Sequence, residues 1–126
     1  MSDRIRVALI EDNEVFREAI ELLLGLDAEV EVMGSAPDGT DAVGLCERTD
    51  AEVLVVDYRL PGPDGVQVTL AVRAARPDVA VVCLTAGVNP REEAALYDAG
   101  AVACVSKDGS LEEIVAAIKR AARREA

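Results

Sequence analysis

Short apolar segments alternate with longer segments of helical periodicity along the whole chain. The short segments predict five strands, at 4–10, 30–35, 52–57, 79–84 and 101–105. Residues 53–56 and 79–84 are continuous aliphatic runs, which are typical of strands buried on both faces of a parallel sheet. The longer segments predict helices at 14–24, 41–48, 65–75 and 90–99, and a last helix that begins after Ser110.

The helical segments carry clear inner faces and end signals. In the first, we expect Phe16, Ile20 and Leu23 to face inward with Ala19 and Leu22 beside them, and Gly25 to end the helix. In the last, Ser110 and Glu113 form a capping-box pattern. An apolar stripe and a basic end follow in that helix: Leu111, Ile114, Val115 and Ile118, then Lys119, Arg120, Arg123 and Arg124.

Five strand–helix units joined by short connections predict an α/β fold. Parallel strands with helices on both faces give a doubly wound five-stranded sheet, and right-handed crossovers limit its topology to a few arrangements. A length of 126 residues fits one domain, spanning 1–126.

Composition narrows the function. No apolar run is long enough for a membrane span, and the N-terminus shows no export signal, so we expect a cytoplasmic location. The net charge of −11 disfavours direct binding to nucleic acid or to an anionic membrane. The absence of histidine excludes catalysis and metal binding that depend on it. Cys46, Cys83 and Cys104 lie far apart in sequence, and we expect small buried apolar residues rather than a zinc site or a disulfide framework.

Polar residues follow the predicted strands at the edge where an open α/β sheet binds ligands. They are Glu11 and Asp12, Asp57, Thr85, and Lys107. Crowded carboxylates favour a divalent cation, and oxygen ligands suit Mg²⁺ best. Asp57, on a central strand, is the candidate nucleophile, because carboxylates form acyl-phosphate intermediates. Lys107 and Thr85 would then contact phosphoryl oxygens.

Most of these residues also have a simpler interpretation. Glu11 or Asp12 could do no more than cap the following helix or interact with its dipole. Thr85 could be a turn hydroxyl, and Lys107 could be a solvated strand end. Asp57 is harder to explain this way, because a carboxylate after four aliphatic residues is costly without a partner. Gly65 is interpreted as a requirement of backbone geometry, not of chemistry.

Four motifs resemble the CheY-like receiver domain of bacterial two-component response regulators over essentially the whole chain. They are IEDN at 10–13, VVDYRLPGPDG at 55–65, LTA at 84–86, and the segment from AGA at 99–101 to SK at 106–107. The resemblance implies the strand order 2-1-3-4-5. It is strongest toward the NarL/LuxR-type subgroup, in which a helix-turn-helix DNA-binding output domain usually follows.

The resemblance also implies roles for individual residues. Asp57 is similar to the phosphoacceptor, Asp12 to a direct Mg²⁺ ligand, and Glu11 to a ligand that acts more through water. The backbone carbonyl of Arg59 would complete the metal site. Thr85 resembles the switch hydroxyl, and Lys107 the lysine that pairs with phosphoryl oxygens.

The implied partner is a sensor histidine kinase, and the implied readout surface runs from Val88 to the last helix. Homodimerisation on activation is a further hypothesis, with Val88, Tyr97 and the first helix as candidate contacts.

The sequence departs from the family pattern at three positions. Cys104 stands where the family usually has Tyr, Phe or His, which puts the coupling of an aromatic side chain to Thr85 in doubt. Asp108 replaces the proline after Lys107, and a cis peptide there would cost about 2.5–4 kcal/mol. The acidic pair is Glu11-Asp12 rather than Asp-Asp.

Other functions remain open. A pseudo-receiver would act as a binding module without phosphorylation. A haloacid-dehalogenase-like phosphatase also uses an aspartate nucleophile, but it wants a second acid where this chain has Arg59. A nucleotide-binding Rossmann domain is weaker, because no glycine-rich phosphate motif is present.

Overall fold

Five strands and five helices alternate along residues 4–123, which are the residues that the computed structural model describes. Arg124, predicted to lie at the basic end of the last helix, falls outside them. The elements are β1 Ile5–Ile10, α1 Glu14–Gly25, β2 Val30–Ala36, α2 Ala42–Thr49, β3 Val53–Asp57, α3 Gly65–Ala75, β4 Ala80–Thr85, α4 Pro90–Ala99, β5 Ala103–Ser106 and α5 Leu111–Ala122. Every predicted element is present, with ends that shift by one or two residues. No helix in the described part of the chain is both long and apolar enough to cross a membrane.

The strands form one parallel sheet in the order β2-β1-β3-β4-β5. This confirms the predicted fold class and strand order. β1 pairs with both β2 and β3, so the direction of strand succession reverses beside β1. The crevice at such a reversal, beyond the carboxyl ends of the strands, is where open α/β sheets bind ligands.

Helices cover both faces of the sheet, which gives two apolar layers. On β3, Val53 and Val55 pack with α1 and α5, whereas Leu54 and Val56 pack with α2, α3 and α4. All five residues of β3 are therefore buried, as its continuous aliphatic run predicted. The stripe on α5 is confirmed: Ile114 and Ile118 are buried, and Leu111 and Val115 pack against the same layer.

Side chains hold the N-termini of four helices. Asn13 accepts a hydrogen bond from the backbone of Phe16 at the start of α1. Complete capping boxes begin α3, α4 and α5, formed by Asp64 with Gln67, Asn89 with Glu92, and Ser110 with Glu113. The last of these is the box predicted from the sequence. Each cap is typically worth about 1 kcal/mol and fixes the helix start beside a strand end.

The inner face of α1 differs from the predicted one. Ile20 and Leu24 are buried and Phe16 is partly buried, whereas Leu22 is 69% exposed and Leu23 38% exposed. Ala19 is also exposed. The helix contacts the sheet along residues four apart, so Leu24 takes the place assigned to Leu23. Gly25 is the last helical residue rather than the cap, which is Leu26.

Candidate functional site

Three carboxylates meet at the carboxyl edge of the sheet. Glu11 and Asp12 directly follow β1, and Asp57 is the last residue of β3. One oxygen from each of the three carboxylates lies within 4.8 Å of the other two. Glu11 and Asp57 are buried, while Asp12 is exposed, so the cluster opens to solvent on one side.

Lys107 joins two of these carboxylates. Its Nζ lies 2.6 Å from Glu11 Oε1 and donates a hydrogen bond to Asp57 Oδ2 at 3.0 Å. The ammonium also lies 4.7 Å from the centre of the Phe16 ring. Burial works to lower the pKa of Lys107, but the close contacts and negative charges of Glu11 and Asp57 outweigh it, and the pKa is raised. Lys107 is therefore a cation held inside the site, and the interpretation as a solvated strand end is wrong.

Glu11 is a fully buried carboxylate. Its Oε2 accepts a hydrogen bond from the backbone of Asn13. Its Oε1 is paired in charge with Lys107, but the angles of that contact are outside those of a hydrogen bond. Burial raises the pKa of Glu11, against the lowering effects of Lys107 and the Asn13 N–H. Because Asn13 caps α1, the simpler interpretation of Glu11 as a helix cap is also wrong.

The donor set fits a magnesium ion. All its ligands are carboxylate oxygens, which Mg²⁺ prefers, and the exposed side at Asp12 leaves room for the waters this ion keeps. Three carboxylates against one ammonium leave an excess of negative charge at neutral pH. Glu11 Oε1, which is buried without an aligned donor, is an observation of this structure that favours a further cation nearby.

Thr85 lies at the next strand end. It is the last residue of β4, is 6% exposed, and pairs in register with Ser106 of β5. Its backbone carbonyl accepts a hydrogen bond from the backbone of Lys107 at 2.8 Å. Leu84, one residue earlier, is the register partner of Asp57. Thr85 is thus placed at the same edge as the carboxylates and joined directly to the segment that carries Lys107.

The loop after β3 connects the site to α4. The backbone of Arg59 donates a hydrogen bond of 3.4 Å to Asp57 Oδ1, while its side chain lies 3.6 Å from Glu92 and 5.4 Å from the ring centre of Tyr58. Burial and the Glu92 carboxylate raise the pKa of Tyr58. The use of the Arg59 carbonyl as a metal ligand stays a prediction. Tyr58 and Glu92 were not anticipated, since no sequence signal relates the loop to a helix thirty residues later.

Gly65 starts α3 where the chain passes close to the site. A Cβ at this position would lie 2.8 Å from the Tyr58 Cα and 3.0 Å from the Asp57 carbonyl oxygen. The backbone of Gly65 donates a hydrogen bond to the Tyr58 carbonyl at 2.8 Å. A side chain is therefore excluded by the backbone that positions Asp57, as the interpretation from backbone geometry predicted.

The structure shows the local geometry at two of the positions that depart from the family pattern, Asp108 and Cys104. The Lys107–Asp108 peptide is trans, since residues 4–123 contain no cis peptide bond. At position 104, an aromatic group comes from α4 instead of from β5. The Tyr97 hydroxyl accepts a hydrogen bond of 3.2 Å from the backbone of Cys104.

Comparison with known proteins agrees with this geometry. The family model of the response regulator receiver domain matches residues 7–119. An uncharacterized transcriptional regulatory protein of Bacillus subtilis, YxjL, is 33% identical over 98% of this chain and 57% of its own length. A probable transcriptional regulatory protein of Mycobacterium tuberculosis, NarL, is 34% identical over 92% of this chain and 54% of its own length.

The solved signal receiver domain of Mycobacterium tuberculosis NarL superposes with a TM-score of 0.92 at 33% identity, covering 98% of this chain and 99% of that one. The chain spans little more than half the length of the curated relatives it matches. Sequence, fold and site geometry together lead to one conclusion: the chain belongs to the response regulator receiver domain family of two-component systems, with relatives of the NarL/LuxR type.

Proposed function

We propose that the protein is a phosphorylation switch in which Asp57 accepts a phosphoryl group from a phosphohistidine of a sensor histidine kinase. The observation that carries the proposal is the meeting of Asp57 with Glu11, Asp12 and Lys107 at the reversal point of the sheet. Glu11, Asp12 and Lys107 lie beside the Asp57 carboxylate, and these positions support the proposal. The proposal also rests on membership of the receiver family.

The transfer breaks the phosphorus–nitrogen bond of the donor and forms a phosphorus–oxygen bond to the Asp57 carboxylate. Glu11, Asp12, Asp57 and the Arg59 carbonyl would hold Mg²⁺. When bound, this ion supplies positive charge for the oxygens of the phosphoryl group. Lys107 already contacts Asp57, so its ammonium can reach a phosphoryl oxygen on Asp57 without a movement of the β5 backbone. Thr85 supplies a hydroxyl from the neighbouring strand end.

The switch follows from a redistribution of charge. Phosphorylation adds negative charge at Asp57 and draws Lys107 away from Glu11. Lys107 is bonded through its backbone to Thr85, so the change reaches β4, β5 and the helices that follow them. The proposed readout surface is the segment from Val88 through α5. An output helix-turn-helix domain in the longer protein, and a homodimer that uses Val88, Tyr97 and α1, are part of the proposal.

Two alternative functions differ from this proposal in their reaction with phosphorylated compounds. A pseudo-receiver would bind a partner without accepting phosphate, although all the acidic, hydroxyl and lysine positions are filled here. A haloacid-dehalogenase-like phosphatase would need an acid at position 59, and the Arg59 side chain instead lies beside Glu92.

The test is an intact-mass measurement after incubation with Mg²⁺ and acetyl phosphate. We expect one phosphoryl adduct on the wild type and none on Asp57→Asn. Asp64→Asn is the matched control, because Asp64 is the neighbouring aspartate that caps α3, and it should keep the adduct. Failure of the wild type to form any adduct, together with no Mg²⁺ binding, would favour the pseudo-receiver. Multiple turnover of phosphate monoesters would favour the phosphatase.

A further inference from the structure

Two of the three thiols lie side by side on neighbouring strands. Cys83 of β4 and Cys104 of β5 are register partners in the parallel pair, so their side chains project from the same face of the sheet. Both pack in the layer covered by α3 and α4, and each thiol shifts the pKa of the other. The two cysteines are far apart in sequence, and they are neighbours because β4 pairs with β5.

We propose that Cys83 and Cys104 form a reversible disulfide when the protein meets a hydroperoxide. Neighbouring parallel strands are about 4.8 Å apart, which lies within the separation of Cα atoms that disulfides span. The Cβ atoms of a disulfide are about 3.8 Å apart, so β5 must close on β4 by about 1 Å. β5 is a four-residue strand at the edge of the sheet, bonded to β4 alone, and it can make this movement.

The two thiols differ in the way that stepwise oxidation requires. Cys104 is partly exposed, whereas Cys83 is fully buried. The Cys83 thiol and the Tyr97 hydroxyl lower the pKa of Cys104 against the effect of burial. The Cys104 thiol and burial both raise the pKa of Cys83. Cys104 is therefore the thiol that meets the oxidant, and Cys83 is the resolving thiol.

The reaction balances with one peroxide. The Cys104 thiolate attacks a peroxide oxygen, the oxygen–oxygen bond breaks, and Cys104 becomes a sulfenic acid as water leaves. The Cys83 sulfur then attacks the Cys104 sulfur, the sulfur–oxygen bond breaks, and a second water leaves with the Cys83 proton. Two thiols and hydrogen peroxide thus give one disulfide and two waters.

The cross-link would act on the strand ends that carry Thr85 and Lys107. Thr85 follows Cys83 by two residues, and its carbonyl is bonded to the backbone of Lys107. A disulfide between β4 and β5 two to three residues before this hydrogen bond would restrict the relative movement of Thr85 and Lys107. We therefore expect slower hydrogen exchange at the Lys107 amide in the oxidised protein, with recovery on reduction.

Tryptic mapping tests the disulfide directly, because the three cysteines fall in different peptides. Cys46 lies in peptide 18–48, Cys83 in 74–91 and Cys104 in 92–107. After hydrogen peroxide and then iodoacetamide, we expect a linked pair of peptides 74–91 and 92–107 in monomeric protein, lost on reduction. The link should be lost in Cys104→Ser and in Cys83→Ala. It should persist in Cys46→Ala, which empties an equally buried thiol position elsewhere.

Three results would overturn the proposal. The first is oxidation of Cys104 to sulfinic or sulfonic acid with peptide 74–91 still alkylated. The second is a Cys104–Cys104 link between two chains, seen as a dimer on a non-reducing gel. The third is a link between peptides 18–48 and 74–91 in the wild type, which would pair Cys83 with Cys46 instead.

Discussion

At the scale of single residues, Lys107 is the side chain on which the metal-free site depends. It is the cation within 3.0 Å of both buried carboxylates, Glu11 and Asp57. Three carboxylates without it would face one another across less than 5 Å, apart from any bound metal. The ammonium is therefore the counter-ion of the two buried carboxylates, and in the proposed function it would also contact the phosphoryl oxygens.

Replacement of Lys107 by methionine separates these two roles. Without the ammonium, buried Glu11 loses its cation, and we expect the metal-free protein to lose about 1–3 kcal/mol of unfolding free energy. Mg²⁺ should still bind, and it should raise the urea midpoint of Lys107→Met by more than that of the wild type. Urea titrations with and without Mg²⁺ measure both effects. Loss of Mg²⁺ binding in this variant would place Lys107 in the metal site rather than beside it.

The candidate site residues could be brought together from the sequence because each one ends a strand or follows it within two residues. Glu11, Asp12, Asp57, Thr85 and Lys107 all lie at the edge to which parallel strands direct them. The contacts of Arg59 and Tyr58 with Glu92 were not predictable, because they depend on where α4 begins relative to the β3–α3 loop. The contact of Cys83 with Cys104 likewise depends on register, which sequence spacing does not reveal.

At the scale of elements, the start of α3 determines where Asp57 is held. Gly65 leaves no space for a Cβ against the backbone of Asp57 and Tyr58. Since this neighbour is backbone rather than a flexible side chain, a substitution must move either the helix or the end of β3.

We expect Gly65→Ala to destabilise the protein by about 1–3 kcal/mol, the usual range for overpacking, and to weaken Mg²⁺ binding. Gly25→Ala is the matched control at the other end of a helix. No heavy atom lies within 4 Å of a Cβ built there, so it should be neutral or stabilise by up to about 1 kcal/mol. Thermal unfolding and Mg²⁺ titration of both variants test this. Equal stability of the two variants would refute the close approach at Gly65.

The elements themselves were predictable in type and order, but the inner face of α1 was not. Leu22, Leu23 and Leu24 are consecutive, so they point in three different directions around the helix. The periodicity of apolar residues therefore cannot show which of the three faces the sheet. Packing against the sheet and α5 selects Leu24 and leaves Leu22 exposed. By contrast, α5 has a single apolar stripe, and its inner face and its cap were both predicted.

At the scale of the whole molecule, α5 is anchored to the α1–β2 connection at the end opposite the site. Lys119 lies 3.3 Å from Asp27 and 2.6 Å from Glu29, and Arg123 lies 3.5 Å from Glu29. These contacts join residues at least ninety positions apart. They hold the last helix to the first half of the sheet independently of the carboxylate cluster.

This anchor gives a defined pH dependence. The Glu29 N–H and Lys119 lower the pKa of Asp27, Lys119 lowers the pKa of Glu29, and the two carboxylates raise the pKa of Lys119. Lowered acid pKa values stabilise the fold above the ordinary carboxylate range, and that contribution is lost as the pH falls through it. The raised lysine pKa stabilises the fold until the pH exceeds the ordinary lysine value.

We therefore expect Lys119→Met to lower the urea midpoint by a constant amount between about pH 5 and pH 10. The difference from the wild type should shrink as the pH falls toward 3, because protonated Asp27 and Glu29 no longer attract the ammonium. Urea unfolding across this range measures it. A difference that stays constant down to pH 3 would show that Lys119 acts through packing alone.

Borohydride reduction identifies which carboxylate of the protein becomes phosphorylated. Borohydride converts an acyl phosphate to an alcohol, so a phosphorylated aspartate becomes homoserine, with loss of one oxygen and gain of two hydrogens. After phosphorylation with acetyl phosphate and Mg²⁺, we expect homoserine at position 57 in tryptic peptide 49–59, and an unchanged peptide 7–17, which carries Glu11 and Asp12. Homoserine at position 12, or an alcohol at position 11, with residue 57 intact would contradict the account.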